Sequence, residues 1–311
     1  MHKEAILASH QRIQPYIHRT PVLSSQGINT MVGAKLFFKC ENFQKMGAFK
    51  MRGATNAILQ LTQEQRNRGV VTHSSGNFAQ ALALAAKSLG VKAYIVMPEN
   101  APKVKKEAVL SYAGIISECE STIKAREEAA QNIIKQQAAT FIHPSNDLDV
   151  IHGNATVALE LFEDHPKLDY IVGPIGGGGL LAGTALSAYH FGTNCKTIGG
   201  EPMEVDDAYR SLQTGKIEKN SSTNTIADGL RTHLGDINFP ILQKYVQEII
   251  LVEEQEIIDA MKLIYERLPI VVEPSSAVAL AAVLKNKADF INKTVGVILS
   301  GVNVDLKTLP F

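Results

Sequence analysis

Hydrophobic positions along this chain follow two alternating patterns. Short, nearly continuous apolar runs fall at 35–39, 69–73, 93–97, 115–119, 140–143, 170–172, 196–199, 249–252 and 294–299. Runs of this length, rich in Val, Ile and Phe, read as strands buried on both faces. Between them lie longer segments with apolar residues three and four apart, at 2–16, 50–61, 78–89, 121–136, 154–163, 180–191, 253–267 and 275–285. These read as helices, and another opens at Ala101-Pro102, where proline suits a first turn. Gly90 supplies a helix stop. The stretch 220–234 is polar and irregular. Strand and helix in alternation predict an α/β protein with mostly parallel sheets and helices on both faces. The four strands between Gly69 and His143 have the rhythm of a small α/β domain.

One window imitates a membrane span. Residues 170–189 carry no charge, and Gly179 to Gly183 is a small-xxx-small pattern. Pro174 and four consecutive glycines interrupt any continuous helix, so a buried strand, a turn and a buried helix account for the window better. No membrane partner is expected. Lys plus Arg balance Asp plus Glu at 31 each, with no long run of one sign, which argues against a nucleic-acid partner held by a general basic surface. Cys40, Cys119 and Cys195 are too few and too far apart for a disulfide framework or a zinc site, and the first residues carry an acid and no long apolar run. A reducing, cytoplasmic setting follows as the expectation.

Several polar residues stand where this pattern does not need them. Lys50 sits between Phe49 and Met51 at the opening of an apolar helix. Loss of hydration lowers the pKa of such a lysine, and its free amine can form a Schiff base with an aldehyde; a lysine that snorkels to the surface is the plainer alternative. Gly176, Gly177, Gly178 and Gly179 lie between a strand and a helix, where consecutive N–H groups and a helix N-terminus can hold a phosphate. Gly177, Gly179 and Ala182, with Glu201 further on, also fit a dinucleotide fingerprint. Ser74-Ser75-Gly76-Asn77 forms a second strand-to-helix turn, in which Ser75 or Asn77 is a candidate helix cap. Ser275 is a candidate cap after Glu273-Pro274, and Ser300-Gly301-Val302-Asn303 follows the last strand. Glu201, Glu204, Asp206 and Asp207 cluster at a helix start, where carboxylates suit the dipole.

Taken together and in this order, Gly47-Ala48-Phe49-Lys50-Met51-Arg52-Gly53-Ala54, the serine–asparagine loop, the four glycines and Ser300 resemble the fold-type II pyridoxal-phosphate enzymes (tryptophan synthase β-like). The closest branch is the serine/threonine dehydratase and serine racemase group. The resemblance runs from about His18 to Asp305. It implies a two-domain fold, with 65–146 as a small domain inserted into a large one made of 1–64 and 147–311, and a homodimer. No separate C-terminal regulatory domain is expected. It implies pyridoxal 5'-phosphate on Lys50, flanked by Phe49, its phosphate on the four glycines and Leu180, and its 3'-oxygen on Asn77. Glu273 lies near the ring and Ser300 faces the pyridine nitrogen. Ser74, Ser75, Asn77 and Phe78 line the substrate position, with Ser75 opposite Lys50. Glu201, Asp207 and the main-chain oxygen of Val205 are the implied ligands of magnesium or calcium. Two residues depart from the pattern: Phe78 replaces the usual histidine, and Val302 replaces a glycine, which questions the backbone there because valine avoids positive φ.

The implied reaction is a dehydratase (ammonia-lyase) reaction. L-serine or L-threonine loses its α-proton to Lys50 and then its β-hydroxyl, giving a 2-oxo acid and ammonia. Racemisation of serine competes if Ser75 returns a proton from the other face. Primary racemase or 3-hydroxyaspartate dehydratase activity are the near alternatives. A nicotinamide-dependent oxidoreductase or a non-catalytic amino-acid sensor are the remote ones.

Overall fold

The computed structural model describes residues 2–311. Among the described residues ten strands form two sheets. The six-stranded sheet contains β1 (Val22–Leu23), β2 (Lys35–Cys40), β7 (Tyr170–Pro174), β8 (Lys196–Pro202), β9 (Val246–Val252) and β10 (Thr294–Leu299), in the order β1-β2-β10-β7-β8-β9. The four-stranded sheet contains β3 (Val70–His73), β4 (Ala93–Pro98), β5 (Ile115–Cys119) and β6 (Thr140–Phe141), in the order β5-β4-β3-β6. Every pairing is parallel except β1 with β2 at one edge. This is the α/β architecture expected. The window that imitates a membrane span resolves into β7, the glycine turn and the helix Gly179–Phe191. No helix among the described residues is long and apolar enough to cross a membrane.

Helices cover both faces of the larger sheet. Pro274–Lys285 is buried from Pro274 to Val283 and packs with Glu254–Arg267 on one face; Leu148–Asp164 and Gly179–Phe191 belong to the other. Parallel strands deliver their C-terminal ends to one edge of the larger sheet, so the turns after β2, β7 and β10 meet there.

The sequence reading is displaced in a few places. The first helix ends at Ile13 and continues as a 3-10 turn over Gln14–Tyr16, because Pro15 cannot donate to the helical ladder. The helix assigned to 154–163 begins at Leu148, capped by Asp147, whose carboxylate accepts from the N–H groups of Asp149 and Val150. Gly153 explains its unhelical composition. A Cβ there would lie 2.6 Å from the carbonyl oxygen of Arg52, so the helices Leu148–Asp164 and Lys50–Gln60 cross almost backbone to backbone. The short helices Gln26–Val32, Gln63–Arg68 and Phe239–Tyr245 carry too few turns for a periodic signal.

A buried ion cluster fixes the helix that Lys50 opens. Arg52 donates to Glu41 through Nε (2.8 Å) and Nη2 (2.8 Å), and to Glu160 through Nη1 (2.7 Å) and Nη2 (2.8 Å). Lys39 Nζ donates to Glu160 Oε2 at 2.7 Å and to the carbonyl of Thr20 at 2.8 Å. All four charged side chains are buried. Two positive and two negative charges cancel, as burial away from water requires.

Candidate active site

Lys50 is the first residue of its helix, and the loop before it is shaped by neighbours from the end of β10. Phe49 N–H donates to Ser300 O at 3.0 Å, and Val302 N–H donates to Gly47 O at 2.9 Å. Left-handed backbone is required at Met46 (φ 54°) and Gly47 (φ 75°), while Val302 has no positive φ. The concern raised by valine at 302 is therefore not met: the turn places its demand on residues 46 and 47. Lys50 Nζ donates to the carbonyl of Pro144 at 2.8 Å and lies 5.0 Å and 5.7 Å from the ring centroids of Phe49 and Phe78. Water still touches the side chain, yet protein crowds the ammonium. Burial pushes its pKa down to about 8, with Glu273 pulling the other way. Lys50 does not snorkel.

The Ser74–Asn77 turn faces the same cleft. Gly76, not Ser75 or Asn77, is the residue before the helix Asn77–Ser88, and no side chain caps it. Asn77 Nδ2 instead donates to both oxygens of Glu273, at 2.9 and 3.1 Å. Asn303 Nδ2 donates to Asn77 Oδ1 at 2.9 Å and to Met46 O at 3.0 Å, and its N–H donates to Glu273 Oε2 at 3.0 Å. Burial pushes the Glu273 carboxyl up to about 7, opposed by the Asn77 hydrogen bond. Ser75 and the N–H groups of Asn77 and Phe78 have no hydrogen-bond partner among the described residues. Nor does the Ser300 hydroxyl, although Ser300 is buried. At Glu273 the cap reading also changes. Glu273 precedes the helix and Pro274 opens it, while Ser275 Oγ accepts from Gly229 N–H at 3.0 Å.

Gly176, Gly177, Gly178 and Gly179 are buried, and their N–H groups, with that of Leu180, make no hydrogen bond within the described residues. Gly178 is left-handed (φ 82°), and a Cβ on Gly177 would meet Ser145 Oγ at 2.6 Å. Ser145 follows Pro144, the acceptor of Lys50, so one short segment adjoins both the lysine and the glycines. Asn238 fixes the loop from outside, donating to Gly177 O (2.8 Å) and Ser145 O (3.1 Å). His143 completes this wall. Its Nδ1 accepts from the N–H groups of Ser145 (3.1 Å) and Asn146 (2.8 Å), and burial, then His73 and Lys50, push its pKa down to about 4.

The model of a family described as "Pyridoxal-phosphate dependent enzyme" matches residues 13–301. The chain belongs to the pyridoxal-phosphate dependent enzymes. Among its relatives is a serine racemase of Dictyostelium discoideum, 49% identical over 310 residues, covering 98% of this chain and 95% of that protein. A crystal structure of a serine racemase from Dictyostelium discoideum, 49% identical, superposes with a TM-score of 0.94 over 97% of this chain and 98% of that chain. A beta-hydroxyaspartate dehydratase of Paracoccus denitrificans is 48% identical over 308 residues, covering 99% of this chain and 98% of the relative. A crystal structure of a threonine deaminase from T.th. is 39% identical, with a TM-score of 0.93 over 98% of this chain and 99% of that one.

The residues present fit the cofactor of these pyridoxal-phosphate dependent enzymes. Five buried N–H groups without acceptors suit a phosphate, and a lysine with a depressed pKa suits an aldehyde. The dinucleotide alternative fails on Glu201. That carboxylate is wholly buried, and its oxygens accept from Ala208 N–H (2.9 Å) and Tyr209 N–H (2.8 Å), out of reach of any ribose. Glu201 thereby serves the helix Asp207–Thr214, as the plainer reading had it. Asp207 is also buried and accepts from Asn220 Nδ2 (2.6 Å) and Leu234 N–H (3.3 Å). Burial pushes both carboxyls up, Glu201 well above the usual range and Asp207 to about 6. No group of three or more His, Cys, Asp or Glu arranged for a metal occurs among the described residues.

Proposed function

We propose that this chain removes ammonia from a small β-hydroxy amino acid, L-serine or L-threonine, to leave a 2-oxo acid, with racemisation of serine as a competing outcome. The observation that carries the reading is the depressed basicity of Lys50 in a cleft shared by the Ser74–Asn77 turn, the four glycines and Ser300, in a chain about half identical to a serine racemase. When bound, the cofactor supplies an electron sink for the bond that breaks at the α-carbon.

The chain's residues supply the rest. Lys50, beside Phe49, would hold the cofactor, and its amine, with a pKa of about 8, is matched to accepting the α-proton. The N–H groups of Gly176, Gly177, Gly178, Gly179 and Leu180 would hold the cofactor's phosphate. Asn77, fixed by Glu273 and Asn303, would meet the cofactor's 3'-oxygen. Free N–H groups of the Ser74–Phe78 turn hold the substrate carboxylate, and Phe78 walls the Lys50 side. Ser75 returns a proton from the opposite face when serine inverts. Ser300 would present the ring nitrogen with a neutral hydroxyl, which cannot keep that nitrogen protonated as a carboxylate would, and this favours elimination over chemistry that needs a long-lived carbanion.

Glu201, Asp207 and the carbonyl of Val205 are the proposed seat of magnesium or calcium. The two buried carboxylates lack any cationic partner within ion-pair distance, and all-oxygen ligation suits those ions. The division into 65–146 against 1–64 and 147–311, a homodimer and a cytoplasmic setting belong to the same proposal; the three free cysteines agree with the last.

The test is an absorption spectrum of the purified protein before and after borohydride, beside Lys50→Ala. A violet-region band that borohydride abolishes and the variant lacks supports the reading. A protein that stays colourless with added pyridoxal phosphate overturns it. Pyruvate against D-serine from L-serine then separates dehydratase from racemase. 3-Hydroxyaspartate is the second substrate to assay, because of the Paracoccus relative.

A further inference from the structure

The four-stranded block meets the rest of the protein on two sides of the cleft. On one side the contact is apolar: Ala54, Ala57 and Ile58 of the helix Lys50–Gln60 share a core with Ala79, Leu82 and Ala86 of the helix Asn77–Ser88. On the other side stands a single ion pair. Lys105, in the helix Lys103–Ser111 that follows β4, donates to Asp228, in the 3-10 turn Asp228–Leu230 of the large body. Among the described residues one other ion pair spans the two parts, Arg68–Glu64, and it lies within the single helix Gln63–Arg68 at their junction, away from the cleft.

This pair sits over the cleft. Gly229, next to Asp228, donates its N–H to Ser275, and a Cβ on Gly229 would lie 4.0 Å from Glu273 Oε1. Asp228 raises and Lys105 lowers the pKa of Glu273, so both charges lie within electrostatic range of the cleft floor. The side chains are 21% and 39% exposed. Partly hydrated pairs are weak and break readily.

We infer that Lys105 and Asp228 are positioning residues that latch the cleft, holding the turn with Ser74, Ser75 and Asn77 against the body with Lys50 and Glu273, and releasing it to admit substrate. The inference rests on the assignment of this cleft as the active site. Neutralising either partner lowers the closed fraction of the free protein. Apparent affinity falls by that fraction, while saturating substrate restores closure and turnover.

The experiment compares the cofactor-loaded parent with Lys105→Met, Asp228→Asn, the double variant and Lys105→Arg, using L-serine as probe and pyruvate as readout. KM is expected to rise about threefold in each neutral variant, with kcat within about twofold of the parent. The double variant should be no worse than either single, and Lys105→Arg should restore the parent KM. Added salt should raise KM in the parent and leave the neutral variants unmoved. Hydrogen exchange of the cofactor-free proteins should quicken at 74–78 and 226–230 in the neutral variants. Unchanged KM and exchange overturn the latch. So does a fall in kcat that is additive in the double variant, which would mean direct contact with substrate. If the parent turns over no L-serine, the active-site reading fails and the exchange result alone decides the latch.

Discussion

Glu160→Gln tests the buried ion cluster most sharply. The substitution keeps the side-chain volume and removes one of two negative charges. Arg52 and Lys39 then have one full negative charge between them, on Glu41, and whichever way the new amide turns, its NH2 group faces a cationic N–H donor from which it cannot accept. Burial by itself would push the Glu160 carboxyl up, but Arg52 and Lys39 together outweigh it and hold the pKa at about 2, against an ordinary 4.5. At about 1.4 kcal/mol per unit, that depression contributes about 3 kcal/mol to stability at neutral pH. Glu160 is 1% exposed, so solvent screening takes little away. Breaking a buried pair by removing one partner costs about 3–5 kcal/mol, in agreement.

With an unfolding entropy of about 2.1 cal/mol/K per residue over the whole chain, 3 kcal/mol corresponds to a melting shift of about 5 °C. The assay is thermal melting by far-UV circular dichroism, at one scan rate and protein concentration, on cofactor-free protein. A depressed carboxyl contributes fully above its unfolded pKa and loses that contribution as pH falls through its folded one. The gap between parent and variant should therefore be constant above about pH 4.5 and close as pH approaches 2. Glu163→Gln is the control, because Glu163 meets Arg19 at the surface with both side chains more than 40% exposed. That change should move the midpoint by about 1 °C or less. A Glu160→Gln midpoint within about 1 °C of the parent, or a gap that widens in acid, would refute the reasoning.

Three further outcomes are expected. Covalent capture of pyridoxal phosphate by the cofactor-free protein should speed up as pH rises through about 8, since desolvation lowers the Lys50 pKa and the free amine dominates above it; stopped-flow absorbance reads the rate. Gly178→Ala forces a side chain onto φ 82° and brings its Cβ to 2.8 Å from Leu234, so phosphate-loop strain of about 1–2 kcal/mol should weaken cofactor affinity about tenfold by equilibrium dialysis. Magnesium or calcium at about one hundred times its dissociation constant should stabilise the parent by about 2.7 kcal/mol in a melting experiment, and Asp207→Asn should abolish the effect.

The residues proposed to meet ligands were legible in the sequence because their backbones have special needs. Four glycines in a row, and a serine-rich turn between strand and helix, announce N–H groups that the fold leaves unpaired. The strands were legible because parallel strands buried on both faces are apolar throughout, as β7 and β10 are. What supports the site left no local trace. Asn238 reaches Gly177 across 61 positions and Ser145 across 93. Glu160 and Arg52, 108 positions apart, look in the sequence like any two surface charges. Asn303 was visible at a strand end but too generic to interpret, and only the fold brings it to Asn77, Glu273 and Met46 at once.

The same division explains why the capping interpretations of the Ser74–Asn77 and Glu273 turns fail. A helix start in isolation needs its first N–H groups satisfied, and a nearby serine or asparagine is the cheapest acceptor. Here Asn77 is committed to Glu273 and Asn303, and Ser275 to Gly229, on partners no local rule could supply. The helix Asn77–Ser88 consequently begins with free N–H groups directed by a side chain bonded across the cleft. An uncapped helix start next to an asparagine fixed from the opposite body is a structural cost without a local benefit. The substrate carboxylate proposed for this turn supplies the benefit, since those N–H groups are free to receive it.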